Sequence, residues 1–269
     1  MKRIIYLVAL LMISACQKEE NPNTIPAYLK IDTITLDENN TTTNITDAWV
    51  YINDQSQGVY ELPAEFPILE DGVQFLRIKA GIKSNGIASS RIAYPFYASD
   101  TSTVIFTPNQ TITVNPTVSY LDSLDFWLED FEEGLSLDTD SLSFSIDNFN
   151  GIDNKYGKIT LQDSMFLSEI TTFELPPLPQ SNAPVFLELD YKCNTEFLIG
   201  MYVNFPQSVL QKDLLWINPK DDWNKIYINL TSTISEVVGA ESFKIFIGMK
   251  RDFSLDKNEV YFDNLKVVY

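Results

Sequence analysis

Apolar and polar residues alternate with period two along much of the chain. In Phe186-Leu187-Glu188-Leu189-Asp190-Tyr191-Lys192, the residues Leu187, Leu189 and Tyr191 fall on one face; Glu188, Asp190 and Lys192 fall on the other. Side chains of a strand point alternately to opposite sides, so this pattern predicts a half-buried strand. Lys225-Ile226-Tyr227-Ile228-Asn229-Leu230 repeats it, and Asp47-Ala48-Trp49-Val50-Tyr51-Ile52 reads as another strand. Asn53-Asp54, Asp71-Gly72, Asn85-Gly86 and Asn150-Gly151 punctuate the runs with turn chemistry. Long helical periodicity is absent; residues 231–240 suit one short helical turn before a strand at 243–247. Many short strands separated by turns predict an all-β chain of two β-sandwich domains. The predicted boundaries are 25–118 for the first, 119–125 for a linker and 126–269 for the second. Pro176-Pro177-Leu178-Pro179 reads as a stiff loop inside the second domain, with a proline-recognition ligand as the sharper alternative.

The N-terminus follows a different pattern. Lys2 and Arg3 precede a nearly unbroken apolar run over residues 4–13, the length of a signal-peptide core and too short to span a bilayer. Ile13-Ser14-Ala15-Cys16 resembles the lipobox of bacterial lipoproteins. The resemblance implies a signal peptide over 1–15, cleavage before Cys16 and a membrane anchor of lipid on the Cys16 thiol. Lys18, Glu19 and Glu20 resemble the lipoprotein export signal of Bacteroidota, which implies an outer-membrane protein facing outward. Residues 16–24 form the expected tether, polar and interrupted by Pro22.

Composition narrows the functional classes. The formal charge of −18 becomes −20 once Lys2 and Arg3 leave with the leader. A surface this acidic does not hold a phosphate backbone, so nucleic acid is excluded as a partner, as is electrostatic docking to anionic lipid. The chain has no histidine, which removes Ser-His-Asp and Cys-His machinery and the usual zinc sites. With Cys16 taken by lipid, Cys193 has no disulfide partner in the chain and reads as a buried, inert thiol.

Two resemblances follow from longer motifs. Ala48-Trp49-Val50-Tyr51-Ile52-Asn53-Asp54, Gly58-Val59-Tyr60-Glu61-Leu62-Pro63 and the strand after Asp71-Gly72 resemble small immunoglobulin-like (PEGA-like) surface domains, which implies a spacer. Glu129-Asp130-Phe131-Glu132-Glu133-Gly134, Trp223-Asn224-Lys225-Ile226-Tyr227-Ile228-Asn229-Leu230 and Val260-Tyr261-Phe262-Asp263-Asn264-Leu265-Lys266-Val267 resemble galactose-binding-like jelly rolls. That resemblance implies adjacent first and last strands, with calcium held by Glu132 and Asp263, assisted by Glu129 or Asp130. It also implies sugar binding, for which Trp127, Tyr156, Tyr202, Trp216 and Trp223 are possible platforms. Trp216 is favoured, since Lys212-Asp213 and Asn218-Pro219 place it in a loop-like context. Glycoside hydrolysis needs two carboxylates roughly 5 to 10 Å apart, and no spacing here singles out such a pair. Asp147 to Asp153 lacks the full EF-hand loop. Asp32-Thr33-Ile34, Asp122-Ser123-Leu124, Asp140-Ser141-Leu142 and Asp163-Ser164-Met165 resemble a short O-glycosylation motif of Bacteroidota. The expected function is a non-catalytic module binding carbohydrate at the cell surface. The alternative is a structural or assembly subunit that binds a protein partner.

Overall fold

The computed structural model describes residues 25–37, 42–140, 142–149 and 154–269. Cys16, Lys18, Glu19 and Glu20 lie outside the described residues. Among the described residues the fold is all-β apart from one short helix, and it builds two β-sandwiches.

The first sandwich holds β1 (Ala27–Ile31), β2 (Thr35–Leu36), β3 (Asp47–Ile52), β4 (Gln55–Glu61), β5 (Ala64–Ile68), β6 (Gly72–Lys83), β7 (Arg91–Ala93), β8 (Asp100–Phe106), β9 (Thr111–Val114) and β10 (Thr117–Val118). One layer runs β5-β1-β9, with the short β10-β2 pair beside it. The other runs β4-β3-β6-β7, and β8 also pairs with β6. Asn53 and Asp54 both sit at positive φ (49° and 65°) and close the β3–β4 hairpin, the conformation that a two-residue turn between twisted strands demands. Leu29, Ile31, Val50, Ile52, Leu76 and Ile78 fill the core between the layers.

The second sandwich holds β11 (Phe126–Glu129), β12 (Leu137–Asp138), β13 (Phe144–Asn148), β14 (Lys155–Leu161), β15 (Leu167–Thr172), β16 (Phe186–Cys193), β17 (Phe197–Phe205), β18 (Ser208–Ile217), β19 (Lys220–Asn229), α1 (Thr231–Glu236), β20 (Ser242–Lys250) and β21 (Asn258–Val268). Its inner sheet runs β13-β14-β21-β16-β19, with β11 on β21; its outer sheet runs β12-β15-β20-β17-β18. Leu187, Leu189, Ile199, Met201, Ile245 and Ile247 meet between the sheets. Leu175 and Leu178 anchor the proline-rich loop in the same core. Cys193 is buried there, and burial pushes its thiol up to about 11, so the thiolate is scarce at neutral pH.

One expectation changes here. The alternation along β16 is as predicted, yet its polar face is also buried: Glu188 is 0% and Asp190 2% exposed. The first sandwich covers that face. Phe186, Tyr227 and Val268 pack into the same cluster as Tyr94, Phe96 and Tyr97. Tyr94 Oη donates to Glu188 Oε1 at 2.6 Å, and Tyr120 Oη lies 2.8 Å from both Glu188 oxygens. Lys225 Nζ completes the set, 3.0 Å from Glu188 Oε2. Burial alone would depress the Lys225 ammonium, but Glu188 and Asp190 outweigh it and hold its pKa above the ordinary value. Asn85 joins the two sides of the same seam: its N–H donates to Tyr227 O at 2.8 Å, and its side-chain Oδ1 accepts from Asn229 N at 2.8 Å. An isolated bridge pairs Ser84 with Tyr227.

Candidate functional site

The face of the outer sheet that points away from the core is exposed at Trp216 and partly at Tyr202, while Leu198 and Phe246 between them are buried. Along β17 the odd residues Phe197, Ile199, Met201 and Val203 enter the core, so Leu198, Gly200, Tyr202 and Asn204 face out. The register sets Leu198 between Trp216 and Gly248, Gly200 between Asp213 and Phe246, and Tyr202 between Gln211 and Lys244. Two central glycines leave a shallow trough. A Cβ on Gly200 would run into the Phe246 ring; the absence of that side chain lets the ring lie across the strand. Tyr202 then leans on it, with centroids 4.9 Å apart. Tyr202 Oη donates to Glu169 Oε1 at 2.8 Å. Burial, and then that carboxylate, push the phenol up to about 12, so it remains a donor at neutral pH.

Trp216 stands at one end of this trough, 50% exposed. It borders a cleft of about 480 Å³ that is also lined by Thr195, Glu196, Lys250, Arg251 and Asp252. A second cleft, of about 360 Å³, lies farther along the same face between Thr171, Glu174, Tyr202, Asn204, Val209 and Lys244. Leu198 and Tyr202 are four residues apart on β17, so the two aromatic positions are separated by roughly 13 Å along the strand. An exposed indole, a phenol, amides and mixed charges on an outward β-face suit a hydroxyl-rich ligand: ring faces cover C–H surface while polar groups bond hydroxyls.

One carboxylate of the Trp216 cleft, Asp252, lacks the character of a general acid. A general acid needs a raised pKa. Asp252 accepts the Ser254 amide at 2.8 Å, and that bond holds its carboxyl below the ordinary value.

Beside the cleft, Phe166, Leu167 and Phe253 are exposed, and the Phe166 and Phe253 rings meet at 5.7 Å. The sequence carried no signal for this group, because its members come from the start of β15 and the segment after β20, far apart in the chain and brought together by the pairing of those strands.

The other candidate platforms have different surroundings. Trp127 is partly buried against the second core. Tyr156 and Trp223 lie on the far face of the inner sheet, with ring centroids 5.7 Å apart and Phe149 5.1 Å from Trp223. Trp223 also borders the seam with the first sandwich.

For the calcium candidates, β11 does pair with β21, which brings the opening motif beside the closing strand. Glu129 is buried and accepts the amides of Phe131 and Ser136 at 2.9 and 2.5 Å. Glu132 Oε1 accepts Lys155 N at 2.6 Å, and Asp263 Oδ1 accepts Asn264 N at 2.7 Å. Asp263 is pushed up to about 7 by burial, with Asp190, Asp130 and Glu132 adding repulsion. The carboxylates therefore share one acidic neighbourhood. Their oxygen chemistry suits a hard cation; among the described residues no group of three or more His, Cys, Asp or Glu side chains is placed to hold a metal, so a cation here would also need backbone or water oxygens.

Among the described residues no helix is long and apolar enough to cross a membrane. No family model matches the chain, and no curated protein matches it. Solved structures similar to part of it include the CBM22-2 xylan-binding domain from Paenibacillus barcinonensis, at 14% identity and TM-score 0.38, covering 52% of this chain and 97% of that one. A family 30 carbohydrate binding module is similar at 17% identity and TM-score 0.36, covering 49% and 86%. The CBM22-1-GH10 modules of a Clostridium thermocellum xylanase, complexed with xylohexaose, are similar at 10% identity and TM-score 0.40, covering 55% and 28%. Likeness at this level assigns no ligand to this chain.

Proposed function

We propose that this protein is a non-catalytic carbohydrate-binding module that holds a glycan along the outward face of its outer sheet. One observation carries the reading: Trp216, half exposed, borders a polar cleft at one end of the outer sheet. Trp216 would stack on one sugar ring. Tyr202, Glu169 and Gln211 would meet hydroxyls farther along. The first sandwich would serve as a rigid spacer, and lipid on Cys16 would tie it to the outer membrane, with Lys18, Glu19 and Glu20 directing the protein outward.

The test is a glycan array probed with the full mature chain, followed by calorimetry on any hit. Trp216→Ala is expected to weaken binding at least tenfold with the fold intact. An array with no binder, or a hit that survives Trp216→Ala unchanged, would end this reading. The anchor is tested separately: Cys16→Ser should release the protein from membranes, and protease added to intact cells should digest the wild type.

A protein partner is the second reading, favoured by the exposed Phe166, Leu167 and Phe253 beside the cleft. Exposed apolar groups clustered in this way often mark contact surfaces. Phe253→Ser would abolish such a contact and leave glycan binding in place.

A further inference from the structure

The seam between the two sandwiches contains a cleft of about 380 Å³, on the opposite side of the second sandwich from the Trp216 trough. Its volume lies within the range of roughly 300–1,000 Å³ typical of small-ligand sites. Both sandwiches build it. The first contributes Thr42, Thr43 and Asn44; the second contributes Trp223, Lys225 and Asp190. Asn44 ties the two walls together, donating from Nδ2 to Lys225 O at 2.9 Å and to Asn224 Oδ1 at 3.2 Å.

Asp190 sets the chemistry. It is 2% exposed and lines the cleft, and its Oδ2 accepts from Asn264 Nδ2 at 3.0 Å. Its Oδ1 lacks a hydrogen bond of good geometry among the described residues: Lys225 Nζ is 3.8 Å away, and the Thr42 hydroxyl of the same cleft reaches the carboxyl only loosely. A buried acceptor without a well-placed donor is costly, and a hydroxyl arriving in the cleft would remove that cost. Charge then selects the ligand class. Glu188 and Asp190 are matched by Lys225 and Lys192, so the cleft offers an anion no unpaired cation. A free cation competes with the ammonium of Lys225 for Asp190 and meets that of Lys192, 5.7 Å over the Trp223 ring. What remains is a neutral donor of hydroxyls, with C–H surface to lie against an indole.

From this geometry we infer a second binding site, in the seam, for one unit of a neutral saccharide. Trp223 is its aromatic wall and Asp190 Oδ1 its buried acceptor. The site is independent of the Trp216 trough, and each can fail alone.

The experiment uses the full mature chain labelled with 5-fluorotryptophan. Its four tryptophans are assigned by single replacement with phenylalanine. Neutral hexaoses of xylose, mannose and glucose are titrated to millimolar concentration, alongside the acidic hexamer of galacturonate. The Trp223 resonance is expected to shift saturably with at least one neutral sugar and to do so equally in Trp216→Ala. Asp190→Asn is expected to weaken that shift at least tenfold. Thr42→Val, at an exposed position, gives a smaller loss and serves if Asp190→Asn does not fold. A Trp223 resonance that ignores every neutral hexaose overturns the site. So does one that moves only when Trp216 is intact, or one that responds more tightly to galacturonate.

Discussion

Trp216 and Trp223 stand on either side of Asn218-Pro219, where the chain crosses from the outer to the inner sheet of the second sandwich. Both point away from the core between the sheets. Trp216 looks onto an open trough, whereas Trp223 looks onto a face that the first sandwich covers. The outer face keeps two central glycines and a Phe246 ring buried beneath Tyr202; the covered face carries Glu188, Asp190, Lys225 and Tyr227. A polar group under a neighbouring domain has to be partnered within the protein, and a polar group on an open face has water to bond. The covered face therefore shows a linked network of carboxylate, ammonium and phenol. The outer face shows single polar residues spaced around aromatic ones, which suits exchange of water for ligand.

The sharpest way to break this contrast is to unbalance the covered network. Lys225→Met leaves Glu188 buried without its cation and is expected to cost about 3–5 kcal/mol in urea unfolding. Adding Glu188→Gln, which keeps an acceptor for Tyr94 and Tyr120, should recover a substantial part. A single variant as stable as the wild type would show that the face is wet.

Asp263 gives the next largest effect. Its carboxyl is raised to about 7 in the folded chain, against about 3.9 for a free aspartate. A raised carboxyl contributes stability that is complete below the unfolded value and is lost as pH climbs through the folded one. The melting temperature should therefore fall between about pH 4 and pH 7 and level off above, with roughly 4 kcal/mol as the upper bound across that span. Asp263→Asn should flatten that slope. The same melts at pH 8 test calcium at Glu132 and Asp263. A rise reversed by chelator would support them as cation ligands, and an unchanged curve would remove them.

On the outer face, Gly200→Ala pushes a methyl into the Phe246 ring and is expected to cost about 1–3 kcal/mol. It should also weaken glycan binding by displacing Tyr202. The smallest effect on stability belongs to Trp216→Ala, expected within about 0.5 kcal/mol of wild type because the ring is half in water. If Trp216→Ala instead destabilises as much as Gly200→Ala, Trp216 is packing, and the trough loses its main anchor.

Much of this molecule was legible from local pattern. The alternation in 186–192 and 225–230 located β16 and β19, Asn53-Asp54 marked a tight hairpin, and 231–240 held the one short helix. Trp216 is exposed, but it sits in β18, paired with Leu198, rather than in the loop that its flanking lysine, aspartate, asparagine and proline suggested. The Trp216 cleft was not legible as a whole. Lys250, Arg251 and Asp252 reach it only through the pairing of β17 with β20, a contact between segments far apart in sequence.

What the sequence determined by itself was periodicity: which residues share a face, where the chain turns and, from the missing histidine, which chemistries it lacks. Alternation says that Glu188, Asp190 and Lys225 point away from their own core, because the strand geometry is local. It does not say what lies beyond that face. Only the tertiary structure laid Tyr94, Tyr97 and Tyr120 over it, turning a polar face expected to meet water into a buried network. The reason is physical. Burial depends on every element packed above a residue, and the packing of one sandwich on another is absent from the spacing within either.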